Sequence, residues 1–298
     1  MRVCIIGDGQ LGKVMREALS KRHYVNVYSR SAGFDFTHVH TAEGIAAAYD
    51  VVVNCAAMTD VDACETARQE AIEANVILPT TLAHACVNVC TRLIHISTDY
   101  VYGRTAEACP TALLDENAER NPMNFYGETK AVADKSIIRL IEDGCLQGLV
   151  LRPAWLYSAV GNNFLTKTIE CLKTHAGVKM ADDQHAIPTS AYAVAKVAEE
   201  WIDGMFMSGE YNICSTFDLS APPPSRYDIA CWIKECIGSN CTIARGKASD
   251  FPSKARRQLG SCLSTMKLER ELCARRATCF KLKDWREDIA DAIKKIGK

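Results

Sequence analysis

No apolar run in the 298 residues reaches the roughly twenty that a bilayer-spanning helix needs. The opening Met1-Arg2-Val3-Cys4-Ile5-Ile6-Gly7 enters a glycine turn too soon for a secretory leader, so a cytoplasmic protein is expected. Neither sign of charge predominates. Lys and Arg total 35 against 36 Asp and Glu, which excludes a bulk electrostatic grip on nucleic acid or an anionic membrane. Fifteen cysteines are present, yet no Cys-x-x-Cys pair and no His cluster at zinc spacing accompany them, so no metal site is expected. Cys86 and Cys90 lie one turn apart on an expected helix, in the spacing of two metal ligands; free, reduced, buried thiols are the better reading. Internal repeats and low-complexity segments are also missing. What remains, 48% hydrophobic and 24% charged, is an ordinary globular chain, long enough for a large domain with a smaller lobe.

The pattern predicts α/β structure. An apolar strand over Arg2 to Ile6 runs into Gly7-Asp8-Gly9-Gln10-Leu11-Gly12, and Val14, Met15, Ala18 and Leu19 follow at helical spacing. Further strands are predicted over 24–28, 50–54, 93–96 and 148–152, with helices over 65–89 and from Phe125 to about Ile141. Strands alternating with helices imply right-handed crossovers and a doubly wound parallel Rossmann sheet. Beyond Arg152 the pattern is more broken: helices over 162–174 and 192–205, a short strand over 211–213, a break at Ala221-Pro222-Pro223-Pro224, and a last amphipathic helix after Trp285. The expected division is residues 1–155, a cofactor-binding domain carrying the catalytic helix. Residues 156–298 form a smaller substrate-binding lobe, too interrupted for a core of its own, parts of which return to the main sheet.

Gly7, Gly9 and Gly12 form G-x-G-x-x-G between strand and helix. Glycines there allow a tight turn and let backbone approach a pyrophosphate at the positive end of the helix. The second strand ends Val27-Tyr28-Ser29-Arg30 without the carboxylate that would hold a ribose diol. Ser29 and Arg30 suit a 2′-phosphate instead, so NADPH is favoured over NADH. Tyr126-Gly127-Glu128-Thr129-Lys130 places a phenol and an ammonium four residues apart on one helix face. An ammonium beside the phenol is expected to draw its pKa down toward the working range. Ser97-Thr98, after a core strand, supplies a hydroxyl that polarises a carbonyl. Together these residues predict hydride transfer at a carbonyl carbon.

These runs resemble the extended short-chain dehydrogenase/reductases, and among them the dTDP-4-dehydrorhamnose reductases. The likeness is carried by Gly9-Gln10-Leu11-Gly12, Asn54-Cys55-Ala56-Ala57-Met58-Thr59-Asp60-Val61-Asp62, Ser97-Thr98-Asp99-Tyr100-Val101-Tyr102, Tyr126 to Lys130, Arg152-Pro153-Ala154-Trp155-Leu156-Tyr157, Gly161-Asn162-Asn163-Phe164, and Asp183-Gln184 with Pro188-Thr189. The resemblance implies Tyr126 as general acid, Lys130 on the nicotinamide ribose, and Thr98 on the C4 carbonyl of a nucleotide-linked 4-keto-6-deoxyhexose. It implies a cofactor site of Gly7, Gly9, Gln10, Leu11, Gly12, Ser29, Arg30, Asp35, Phe36, Cys55, Ala56, Ala57 and Thr59, with Tyr126 and Lys130. Val61, Thr98, Asp99, Tyr100, Trp155, Asn163 and Arg257 would contact the sugar nucleotide, Arg257 at its diphosphate.

It further implies a homodimer and an upstream 3,5-epimerase, with dTDP or UDP as the nucleotide. Plainer roles stand beside these: Trp155 as core packing, Asn163 as a helix start, Asp183-Gln184 as a polar turn. Three departures from the family pattern are the short spacing of the first two glycines, Met58 where a polar residue is usual, and Gln258 in place of proline. Two other functions fit the same residues less well. One is a sugar-nucleotide epimerase or dehydratase that keeps its nicotinamide. The other is a non-catalytic subunit like the regulatory beta subunit of methionine adenosyltransferase, against which the intact Thr98, Tyr126 and Lys130 speak.

Overall fold

The computed structural model describes residues 1–108, 112–204, 207–274 and 281–296. Six parallel strands lie in the order Gly209–Ile213, Gly148–Pro153, Arg92–Ile96, Val51–Asn54, Arg2–Ile6, Tyr24–Tyr28. Every residue of Val51–Asn54 and Gly148–Pro153 is buried, as a strand covered by helices on both faces requires. Successive side chains point to opposite faces. Val3, Ile5, Val51 and Val53 therefore meet Val14, Met15, Val194, Trp201 and Leu268 on one side. Cys4, Val52, Leu93 and Val150 meet Ala42, Leu82, Ile137 and Ile138 on the other.

Chain order reverses at Arg2–Ile6, whose neighbours are Tyr24–Tyr28 and Val51–Asn54. Open α/β sheets bind ligands at the carboxyl ends of strands beside such a reversal. Here the ends are level. Gly7 N donates to Tyr28 O at 2.7 Å and Cys55 N to Ile6 O at 2.9 Å. A buried ion pair fixes the Phe125–Glu142 helix to the sheet: Arg152 Nε donates to Asp134 Oδ2 at 2.8 Å, and Arg152 also meets Glu210 and the Tyr102 hydroxyl.

Three expectations are corrected. The helix predicted over 65–89 starts earlier and is broken: Val61–Thr66 and Arg68–Ile72, then a wider π-helical turn over Glu73–Ile77, then Leu78–Asn88. The turn carries buried Asn75, whose Oδ1 accepts from Met58 N at 2.9 Å and whose Nδ2 donates to Met58 O and Thr129 Oγ1. Side-chain bonding of that kind, not apolar periodicity, decides the local winding. Second, Cys90 is not on the helix with Cys86; it sits in an exposed turn beyond it at φ +55°.

Third, the residues beyond Arg152 do build an apolar cluster of their own. Tyr157 from the short Leu156–Tyr157 strand and Leu165, Ile169, Leu172, Ile229, Ile233, Trp285 and Ile289 from helices far apart in sequence come together. Short parallel pairings, such as Gly177–Ala181 with Thr242–Gly246, frame it. The same half also sends Gly209–Ile213 into the central sheet and Ala191–Ile202 against it. That helix was expected to run on to Met205, which lies outside the described residues.

Candidate active site

The first strand ends at Gly7 with φ +101°, where an added Cβ would sit 2.9 Å from Ala56 N. At Gly12 it would run into the Gly7 carbonyl oxygen. Both positions accept only glycine. Gly9 differs: it caps Gln10–Leu19 without any side-chain bond, and a Cβ there meets nothing within 4 Å. The helix thus presents bare N–H groups at the sheet edge, the physical requirement for holding a pyrophosphate. Gln10 Nε2 is buried there with no acceptor among the described residues, a donor available to a ligand.

A cleft of about 430 Å3 opens on this turn, lined by Gly7, Gly9, Ser29, Arg30, Asp35, Phe36, Cys55, Ala56 and Ala57 among others. Of the remaining residues expected at the cofactor, Leu11 packs into the core below and Thr59 is exposed. Ser29 and Ser31 hydroxyls lie 2.8 Å apart, and Arg30 has no carboxylate partner among the described residues. The residues present fit a dinucleotide whose 2′ end carries negative charge.

Thr98 follows the Arg92–Ile96 strand. Asn124 opens the next helix, accepting from Gly127 N at 2.9 Å. Gly127 lets that helix press on the preceding turn, since a Cβ would stand 2.6 Å from Tyr100 O. This close approach brings the Tyr126 ring to 5.6 Å from that of Tyr100, edge to face. Tyr126 and Lys130 are both buried.

The ammonium does not do what the spacing predicts. Lys130 Nζ donates to Ile96 O at 2.7 Å and lies 3.5 Å from His95 Nε2, so it is anchored to the strand end and not to the phenol. Burial pushes the Tyr126 phenol above its usual pKa, the Thr98 hydroxyl opposing; Asp99 and Tyr100 push it further up. The expected lowering by Lys130 is therefore corrected. Burial also draws Lys130 down to about 8, against the pull of Asp134. Burial first, then Lys130, lowers His95 to about 3, so that imidazole is neutral and bonds Asn54 through Nδ1.

Asp99 is pushed up to about 6 by burial, opposed by the nearby Ser261 and Thr98 hydroxyls. The Thr98 hydroxyl donates to its Oδ1 at 3.0 Å, and Gln258 Nε2 donates to Oδ2 at 2.7 Å. Gln258, visible in sequence only as a departure, thus reaches the Thr98–Asp99 turn. Its Oε1 is buried without a donor.

A second cavity of about 660 Å3 lies in the lobe, lined by Asp62, Phe164, Gln184, Arg226, Phe251 and Arg257 among others. Tyr126 and Lys130 are not in its wall. The link is Arg257, which lies against the Tyr100 hydroxyl, as Tyr100 in turn lies against Tyr126. Asp62 organises this rim: its Oδ1 accepts from Ser253 Oγ and Ala255 N, and its Oδ2 from Arg257 Nη2 at 3.0 Å. Trp155 adopts φ +42°, packs against the apolar cluster of the lobe and carries the Arg226 guanidinium over its ring. Asn163 spends its side chain as a helix cap, accepting from Leu165 N and Thr166 N and donating to Ser158 O. Val61 packs beside Tyr126 and Ala255. Asp183 accepts from Ala248 N at 2.8 Å. Asn75, Asp62 and Arg226 were missed, because nothing in local spacing marks a residue whose partners come from remote segments.

A level strand-end cleft with a glycine turn, and a buried tyrosine and lysine on one helix beside a threonine that follows a core strand, define an oxidoreductase of the short-chain dehydrogenase/reductase type. The chain matches the RmlD substrate binding domain family over residues 1–297, and it belongs to that family. The dTDP-4-dehydrorhamnose reductase of Mycolicibacterium smegmatis is 29% identical over 295 residues, covering 98% of this chain and 85% of the relative. The dTDP-4-dehydrorhamnose reductase of Clostridium acetobutylicum superposes with a TM-score of 0.86 at 29% identity, covering 100% of both chains. The reductase of Bacillus anthracis, solved in complex with NADP, shares the fold with a TM-score of 0.85 at 24% identity and 99% coverage of each. Among the described residues, no helix is long and apolar enough to cross a membrane.

Proposed function

We propose that this chain reduces a nucleotide-linked 4-keto-6-deoxyhexose, dTDP- or UDP-4-dehydro-L-rhamnose or a C4 relative, at the expense of NADPH. The observation that carries the reading is the buried, proton-loaded Tyr126 against the Thr98 hydroxyl. A raised phenol pKa keeps the proton in place near neutrality. An alkoxide is a stronger base than a phenolate, so donation to the developing C4 oxygen runs downhill. The cofactor supplies a hydride equivalent to the sugar carbon. Lys130, fixed on Ile96 O, serves the nicotinamide ribose in this reading and not the phenol. Thr98 turns its proton from Asp99 to the carbonyl, and the Asp99 bond to Gln258 keeps that carboxylate from following.

Residues 1–155 hold the cofactor in this reading and residues 156–298 the sugar nucleotide, with Arg257 on the diphosphate. Arg30 favours the 2′-phosphate of NADPH, NADH binding less well. The enzyme works in the cytoplasm on the product of a 3,5-epimerase, as a homodimer. NADPH absorbance followed with dTDP- and UDP-4-keto-6-deoxy sugars, with and without a 3,5-epimerase, tests it. Stoichiometric oxidation by wild type, lost in Tyr126→Phe, is the expected result. Turnover without net NADPH consumption would mean an epimerase or dehydratase, and no oxidation by either protein a binding subunit.

A further inference from the structure

Arg226 opens the Arg226–Ile237 helix at the wall of the lobe cavity. Its guanidinium carbon lies 4.2 Å from the Trp155 ring centroid and 4.9 Å from that of Phe164. Gln184 holds it twice, accepting from Arg226 N at 3.2 Å through its backbone carbonyl and from Arg226 Nε at 3.0 Å through Oε1. Both anchors are neutral. Among the described residues no carboxylate pairs with Arg226, whereas Arg152 has Asp134, Arg256 has Glu107 and Arg257 has Asp62.

A guanidinium does not shed its proton, so a half-buried one without a counter-ion is costly unless an anion comes to it. Burial already depresses the pKa of Arg226, while Tyr100 and Asp99 support its charge and Arg257 opposes it. The opposing influence of Arg257 puts the two cations near each other, both beside Tyr100. Arg257 is neutralised by Asp62; Arg226 is not. Two guanidinium forks in one cavity, one stacked and held edge-on by Trp155, Phe164 and Gln184, suit two adjacent phosphates.

We propose that Arg226 is a second anchor for the substrate's diphosphate, paired with Arg257, and that it makes the site selective for nucleoside diphosphates over monophosphates. This rests on the reading that the substrate is a sugar nucleotide, not on hydride transfer.

Calorimetric titration of wild type, Arg226→Gln and Arg226→Lys with dTDP, UDP and dTMP tests it. Arg226→Gln is expected to weaken the preferred diphosphate about tenfold or more and dTMP by less than about threefold. Arg226→Lys keeps the charge but not the stacked fork, and falls between. In turnover the loss falls on KM more than on kcat. Diphosphate affinity within about twofold of wild type in Arg226→Gln overturns the inference. So does an equal loss for dTMP, which would mean that Arg226 only props Trp155. Should Arg226→Gln fail to fold, Arg226→Lys decides alone, an unchanged diphosphate-to-monophosphate ratio counting against the anchor. Wild type that binds neither diphosphate overturns it too. Tight dTDP or UDP binding without NADPH oxidation leaves the anchor standing and removes the reductase reading instead.

Discussion

The glycine-turn cleft and the lobe cavity are built from different materials. The first is backbone at the level ends of adjacent parallel strands, where Gly7, Gly9 and Gly12 lie within one turn of chain. The second is side chains: Asp62, Gln184, Arg226 and Arg257 reach it from segments scattered over most of the sequence. A backbone site tolerates little change in shape and carries its signature in a few consecutive residues. A side-chain site can be rebuilt one residue at a time, and there a chain sets its own selectivity. The Tyr126–Tyr100–Arg257 line runs from the Phe125–Glu142 helix to the lobe cavity.

The sharpest way to break this comparison is at the junction. Tyr126→Phe removes the proposed proton donor and is expected to lower kcat by about a hundredfold or more, with the KM for NADPH within about threefold, in an absorbance assay. A retained rate would mean that the cleft and the cavity do not meet at this phenol.

Gly12→Ala and Gly9→Ala separate shape from binding inside the cleft. The first pushes a methyl into the Gly7 carbonyl and should cost about 2 kcal/mol or more in urea unfolding. The second enters open space, so stability stays within about 0.5 kcal/mol while NADPH affinity drops. Equal stability of the two variants would contradict the turn.

Lys130 supplies a pH test with opposite signs. Its pKa is drawn down to about 8, so NADPH oxidation should fall as pH rises through about 8. Stability moves the other way. An unfolded lysine titrates near the ordinary value of 10.5, so between about 8 and 10.5 the folded chain binds fewer protons than the unfolded one. The cost of burying the charge is full below about 8 and is relieved as pH climbs. The urea midpoint of wild type relative to Lys130→Met should accordingly rise over that window; a falling difference would contradict the assignment.

The smallest effect is expected at Gln258→Leu, which deprives Asp99 of a donor. Burial already lifts Asp99 to about 6, and losing the bond lifts it further. The acid limb of the rate profile should move to higher pH, with a loss of a few-fold near neutrality. An unmoved limb would leave Gln258 a packing residue.

Much of the fold was legible because its elements are local. Apolar runs such as Val51–Asn54 and Arg2–Ile6 announce strands buried on both faces, and a glycine turn between strand and helix has only one use in that context. Tyr126 and Lys130 were legible as a pair because a helix puts residues four apart on one face. The direction of the lysine was not: Ile96 O, 34 residues away, accepts its hydrogen bond. The bond from Gln258 to Asp99 spans 159 residues and left no trace in local pattern beyond an unusual residue at one position.

By itself, then, the sequence determined the parallel sheet, the glycine turn and the placing of Tyr126 and Lys130 on one helix face, all consequences of short-range periodicity and backbone sterics. Only the tertiary structure decided how those side chains are poised. Which carbonyl holds Lys130, how far burial lifts Tyr126 and Asp99, and which cation is left without a counter-ion all depend on groups remote in sequence, and desolvation and Coulomb forces act through space without regard to chain order.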